Sequence, residues 1–282
     1  MPKSPPVQLI DIGVNLAHDA FDRDRAEVLA RAEQRGVVQM IVTGSSVASS
    51  RQALDLARAH PGKLFATAGI HPHHAQDLDE AAVRELERLA ADPAVVAIGE
   101  CGLDYFRDYS PREAQRRAFA RQLQLAMRVG KPVFLHQRDA HEDFVAIVRE
   151  HRASLTDAVA HCFTGTPAEL AVYLGLKLAI GLTGWICDER RGAHLAALVP
   201  EIPAARLMVE TDAPYLLPRD LQPKPASRRN EPMFLPHVAG AVARARGTSL
   251  EALAQSSTAA ARACFRLAPT DGCTKHVAAS EK

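Results

Sequence analysis

At 282 residues, with 47% hydrophobic and 24% charged residues and a formal net charge of +1, the chain reads as a water-soluble globular protein. Near-neutrality excludes a global pull toward nucleic acid or anionic membrane, so phosphate recognition would need a local cluster. No apolar stretch approaches the ~18 residues of a spanning helix, and the start MPKSPP lacks the apolar region of a secretory signal, so a cytoplasmic protein is expected.

Apolar runs at 7–15, 37–44, 64–71, 94–104, 132–139, 157–163, 177–184 and 206–214 are the strand candidates. Most are apolar throughout, as in strands covered on both faces. Helical spacing follows most of them. In 24–36, Val28, Leu29 and Ala32 share a face and Gly36 is a stop; 80–92 behaves similarly, and 111–130 opens on Pro and ends on Gly. The helix of the sixth unit, 167–174, is short. Further helices are expected at about 236–246 and 249–265, after a Pro- and Arg-rich loop at 217–236. Eight alternating units predict an α/β fold, a closed (β/α)8 TIM barrel. An open doubly wound sheet is the runner-up, but no glycine-rich phosphate turn follows the first strand. No linker interrupts the chain, which reads as a single domain over 1–282, with its core at about 7–266 and a loose polar tail at 268–282. Five cysteines without CxxC spacing predict reduced thiols. By strand parity Cys101 and Cys162 turn away from the barrel axis.

A parallel barrel gathers the C-terminal ends of its strands on one face. Glu100, His136, His161 and Asp212 each end a different apolar run and would meet there. Parity puts Ile98 below Glu100 and Asp104 above it; Phe134 and Arg138 go with His136, Val159 and Phe163 with His161, and Met208 and Glu210 with Asp212. His71 closes the third run. Taken singly, a strand-end histidine is commonly a hydrogen-bonded structural residue and a lone glutamate a solvated one. Glu100, however, sits between Gly99 and Cys101–Gly102 with no cationic sequence neighbour, and a buried unpaired carboxylate is costly. For Glu210, and likewise Asp11, a buried pair with Arg or Lys is an equally good reading. Two imidazoles and one or two carboxylates suit a divalent cation with open positions, and ligand type alone leans toward Zn²⁺ or Mn²⁺. Asp212 could take a proton from attacking water.

A phosphoester substrate is suggested by Lys224, Arg228 and Arg229 in the loop after the Asp212 strand, and by Arg138 facing the mouth. Bracing of that loop by Arg228 and Arg229 against carboxylates such as Glu231 is the competing explanation. Tyr105, Phe106 and Trp185 are candidate stacking surfaces, whereas 189–191 and 218–220 read as solvated faces.

The segments DIGVNL (11–16), TAGIHPH (67–73), GECGLD (99–104), HQRDAHE (136–142), HCFTG (161–165), GWICDERRG (184–192), ETDAPYLLPRD (210–220) and SRRNEP (227–232) resemble the TatD family of metal-dependent deoxyribonucleases over about 7–266. The resemblance implies a barrel of the metal-dependent hydrolase superfamily. It also implies a Mg²⁺-dependent 3′-5′ exonuclease on single-stranded DNA, with RNA as a further substrate, in nucleic-acid repair or turnover. Glu100, His136 and His161 match the family's metal ligands, Asp212 its acidic residue after strand eight, and His71 a substrate-side histidine. Many members carry H-x-H on strand one; here Gly13 and Asn15 stand there, a loss the TatD branch shares. One well-bound ion is therefore expected, Mg²⁺ ahead of Mn²⁺ or Zn²⁺, with any second ion brought in by substrate oxygens and Asp212. Asn15 is placed on the substrate side. A monomer without an obligate protein or membrane partner is expected. An amidohydrolase-type enzyme acting on a small lactone, amide or deaminable ring is the alternative, and a non-catalytic nucleic-acid-binding role the third reading.

Overall fold

The computed structural model describes residues 7–269, so most of the expected tail, with Cys273, lies outside the described residues. Eight parallel strands form one sheet in sequence order: β1 (Leu9–Val14), β2 (Val37–Val42), β3 (Leu64–Ala68), β4 (Val95–Asp104), β5 (Val133–Arg138), β6 (Ala158–Ala160), β7 (Ala179–Leu182) and β8 (Leu207–Val209). Just beyond β8, Asp212 donates its N–H to the Gly13 carbonyl (2.8 Å) and Ala213 accepts from the Asn15 N–H (2.8 Å), which joins the last strand to the first. The expected TIM barrel is the observed fold.

The helices are α1 (Arg25–Gln34), α2 (Val47–Ala59), α3 (Glu80–Ala90), α4 (Arg112–Val129), α5 (His141–His151), α6 (Pro167–Gly175), α7 (Ala193–Leu198), α8 (Leu235–Arg246) and α9 (Leu250–Phe265). Their starts follow local chemistry. Ser46 and Ser49 close a reciprocal cap on α2, and Thr166 with Glu169 does the same for α6, which has Pro167 in its first turn. β6 and β8 are shorter than the apolar runs suggested. Cys162 (φ 49°) and Asp212 (φ 55°) take left-handed backbone, so the chain turns where periodicity alone predicts further strand.

Apolar side chains form two layers. The larger lies between strands and helices; the smaller fills the barrel with Ile10, Ile12, Ile41, Ala97, Phe134, Val159, Ala179 and Met208 and is plugged from below by Ala260, Ala261, Cys264 and Phe265 of α9. Above this layer, the barrel's cavity lies where the strands end. A parity expectation fails in β4. The β4–β5 register shifts between Ile98 and Cys101, so Ile98 joins the outer layer while Glu100 still enters the interior. Among the described residues no helix is long and apolar enough to cross a membrane.

Candidate metal centre

The strand ends surround an open cavity of about 1110 Å³, lined by Glu100, His136, His161, His71, Asp212 and Asn15 among others. Three imidazole nitrogens converge on one oxygen at its floor. His161 Nε2 lies 2.9 Å, His136 Nδ1 3.0 Å and His71 Nε2 3.3 Å from Glu100 Oε1. His136 Nδ1 and His161 Nε2 face each other at 3.3 Å. Local backbone makes this convergence possible. At Gly102 (φ +148°) a Cβ would overlap the His136 carbonyl, so glycine lets β4 and β5 approach beside Glu100. From α4, Gln122 makes both hydrogen bonds to the Ile70 backbone (2.8 and 2.9 Å), which fixes the stem of His71. Gln115 accepts from the Asp104 N–H (2.8 Å) in the same manner.

Each histidine has a different partner behind it, and these partners sort their roles. His161 Nδ1 faces Glu210 Oε2 at 3.5 Å, and His136 Nε2 faces Asp104 Oδ2 at 3.6 Å. A carboxylate behind the ring keeps the proton on the far nitrogen and leaves the lone pair of the near one for a cation. His71 is the reverse. Its Nδ1 accepts the His73 N–H (3.1 Å), so the neutral ring carries its proton on Nε2 and donates toward Glu100. Burial, with His136 close by, pushes the His71 imidazole down to about 4, which keeps that donor neutral. Glu100, His136 and His161 are thus the ligand candidates and His71 is a hydrogen-bond donor beside them, although its Nε2 also lies within reach of the shared centre.

The donor set fits a metal ion. Ligand bonds of about 2.1 Å place neighbouring donors ~3.0–3.4 Å apart, and the converging nitrogens and oxygen have that spacing. His136 Nε2, His161 Nδ1 and Glu210 Oε2 are buried with no hydrogen-bond partner within ordinary reach. The electrostatics ask for positive charge. Burial would raise Glu100, but His71 and His161, helped by His136, hold it well below the usual carboxylate range. Burial would lower His161, yet Glu100 and Glu210 hold it well above its ordinary value; Asp104 and Glu100 likewise raise His136 against burial.

Asp212 faces the same cavity but stands apart from the three ligands, its Oδ1 accepting from Asn15 Nδ2 (3.0 Å). Burial, with Glu100 and Glu210 close by, pushes its carboxyl up to about 7. Neither Glu210 nor Asp11 pairs with Arg or Lys, as had been one reading of each. Glu210 accepts the Cys162 N–H and occupies space left by Gly13 and Gly181, whereas Asp11 binds Thr211 through Oγ1 (2.5 Å) and N–H (2.9 Å). Cys162 departs from its parity expectation. Its left-handed backbone brings it to the cavity wall, where burial, with Asp212 and Glu210 near, holds the thiol well above its ordinary value.

The basic side of the site is not where the sequence placed it. Arg229 is engaged with Asp24 (2.7 Å), Glu231 (2.8 Å) and the Ala20 carbonyl and does not line the cavity; exposed Arg228 and Lys224 do not line it either. The loop is braced by carboxylates instead. Arg138, Arg107 and Arg191 line the mouth, the last from a segment read as a solvated face. Arg138 stacks over Phe106 at 3.8 Å, and Phe106 and Tyr215 are about half exposed.

The profile of the family described as TatD related DNase matches residues 10–266. The chain belongs to that family. A 3′-5′ ssDNA/RNA exonuclease TatD from Edwardsiella piscicida is 55% identical over 260 residues, covering 92% of this chain and all of the relative; one from Erwinia billingiae is 52% identical over 259 residues, covering 92% and 99%. Among solved structures, a TatD homologue from Escherichia coli superposes with a TM-score of 0.84 at 27% identity, covering 93% of this chain and 99% of that one. A TatD-family hydrolase from Entamoeba histolytica gives 0.83 at 27% identity, covering 94% and 100%.

Proposed function

We propose that this chain is a divalent-metal-dependent 3′-5′ exonuclease of single-stranded DNA and RNA, working as a cytoplasmic monomer in nucleic-acid turnover or repair. The observation that carries this reading is the convergence of Glu100, His136 and His161 at the floor of a cavity whose mouth holds Arg107, Arg138 and Arg191. Identity of 55% to a curated exonuclease along 92% of the chain supports the substrate class. A divalent cation held by Glu100, His136 and His161 would supply Lewis-acid polarisation of a phosphoryl oxygen and make water easier to deprotonate. Mg²⁺ is our choice, since substrate oxygens would complete its preferred shell.

The remaining chemistry belongs to the side chains. Asp212, oriented by Asn15, accepts the proton of the attacking water as the P–O bond breaks, and the departing 3′ oxygen takes a proton from solvent. His71 Nε2–H donates to a phosphate oxygen above Glu100. Arg138 presents a planar fork to the adjoining phosphate, held against Phe106. Exposed Phe106 and Tyr215 offer faces on which unpaired bases stack, a preference for single strands that reads no sequence. A 5′-labelled oligonucleotide, given Mg²⁺, Mn²⁺ or Zn²⁺ after chelation, should shorten stepwise from its unlabelled 3′ end. Absence of shortening with every ion refutes the proposal, and turnover restricted to a parallel panel of lactones and amides decides for the amidohydrolase alternative.

A further inference from the structure

Cys187, Asp220 and His237 come from three separate parts of the chain. Cys187 ends the 3-10 turn Gly184–Cys187 after β7, Asp220 lies in the irregular stretch after β8, and His237 is in the first turn of α8. Their thiol, carboxylate and imidazole ligand atoms all lie within 4.8 Å of one another. Asp220 Oδ1 is 2.6 Å from His237 Nε2, and the Cys187 thiol lies beside the same pair, within 4.8 Å of both ligand atoms. The thiol is buried while the Asp220 and His237 side chains are 42% and 30% exposed, so the cluster opens to water on one side. None of the three lines the catalytic cavity.

We propose that Cys187, Asp220 and His237 form a second metal site, taking Zn²⁺ through one thiolate, one carboxylate and one imidazole. Sulfur excludes Mg²⁺ as the preferred ion, and three protein ligands with an open fourth position suit tetrahedral Zn²⁺. Binding releases the Cys187 thiol proton to solvent, since the thiolate is the form that ligates. In the ion-free protein burial, with Asp220 beside it, pushes that thiol up to about 12, and water-exposed Arg244 is the cation that partly offsets this. The site has structural work to do. Residues 210–231 run from β8 to the next helical turn without regular structure, and so long a loop needs fixed points. Asp220 would anchor this loop to α8 and to the turn carrying Trp185, which lines the cavity two residues before Cys187. Zn²⁺ thus holds one wall of the substrate cavity in place.

The test uses the full chain, reduced and stripped with a chelator, and titrated with Co²⁺ alone. A thiolate-to-Co²⁺ charge-transfer band in the near ultraviolet is expected in the wild type and in Glu100→Ala and Cys162→Ser, and should vanish in Cys187→Ser. The Zn²⁺ concentration needed to displace Co²⁺ should rise in His237→Asn, which lacks the imidazole ligand. If Cys187→Ser does not fold, Asp220→Asn decides, because that side chain is partly exposed and its loss leaves the buried thiol in place. A band lost in Asp220→Asn supports the site; a band that persists there overturns it. No thiolate band in the wild type, or one that disappears only in Cys162→Ser, also overturns it and leaves an ordinary Asp–His pair over a buried thiol.

Discussion

Glu210→Gln tests how the metal centre is built. The Glu210 side chain is fully buried, accepts the Cys162 N–H on Oε1, and keeps Oε2 3.5 Å from His161 Nδ1. Gln has the same shape, so the space left by Gly13 and Gly181 remains filled. Its amide can present N–H to His161 Nδ1, which moves the imidazole proton to Nε2, the atom aimed at Glu100. That removes the lone pair a cation would use. Loss of such a supporting carboxylate weakens metal binding about 10- to 100-fold, roughly 1.4–2.7 kcal/mol. Thermal stability should change little, because losing the charge that faces His161 is offset by removing a buried carboxylate oxygen without a hydrogen-bond partner. Calorimetric titration with Mn²⁺ and a melting curve on the same sample separate the two effects. Wild-type affinity in folded Glu210→Gln would refute the reasoning, and a large fall in melting temperature would make Glu210 a structural residue instead.

Gly102→Ala should cost about 3 kcal/mol or more, since the new Cβ meets the His136 carbonyl at φ +148°; a melting temperature within a degree or so of wild type contradicts this. Arg229→Ala should lower stability by about 1 kcal/mol, a shift of roughly 2–4 °C, with little change in KM for oligonucleotide. The Arg229 hydrogen bond holds Asp24 down from its ordinary 3.8 to about 2, so this stabilisation is present above pH 3.8 and is lost as pH falls through 2. The gap between wild type and Arg229→Ala in acid-denaturation curves should close across that window. Arg138→Ala should raise KM and flatten the salt dependence of cleavage, and an unchanged salt slope would remove it from the phosphate path. Metal binding should release protons, because His136 and His161 are raised by Glu100 and its neighbours and must be neutral to ligate. Affinity should therefore drop up to about tenfold per pH unit for each displaced proton, starting above the ordinary histidine value of 6.5; equal affinity on both sides of it contradicts the ligand assignment.

The barrel was legible because eight apolar runs and their helices repeat one local pattern, and because strand ends are where such runs stop. Glu100, His136 and His161 could be placed for that reason alone. What could not be read depends on single backbone angles or on the path of a loop. Cys162 reaches the cavity through left-handed backbone, and Ile98 leaves the interior through a one-residue register shift in β4. Arg228 and Arg229 follow the Asp212 strand in sequence, yet the loop turns Arg229 onto Asp24 of the neighbouring connection after β1. Arg191, by contrast, returns to the mouth from a charge run with no distinguishing pattern. Gln115 and Gln122 left a usable sign, being polar residues one heptad apart on the face of α4 that also carries Phe119. Burial of polar groups on an otherwise apolar stripe signals a backbone that needs holding.

Anomalous scattering from Mn²⁺-soaked crystals tests the central claim most directly. The predicted result is one strong peak within about 2.3 Å of Glu100 Oε1, His136 Nδ1 and His161 Nε2, with His71 outside the ligand sphere. A peak held by other side chains, or none at an ion concentration that supports cleavage, would contradict it.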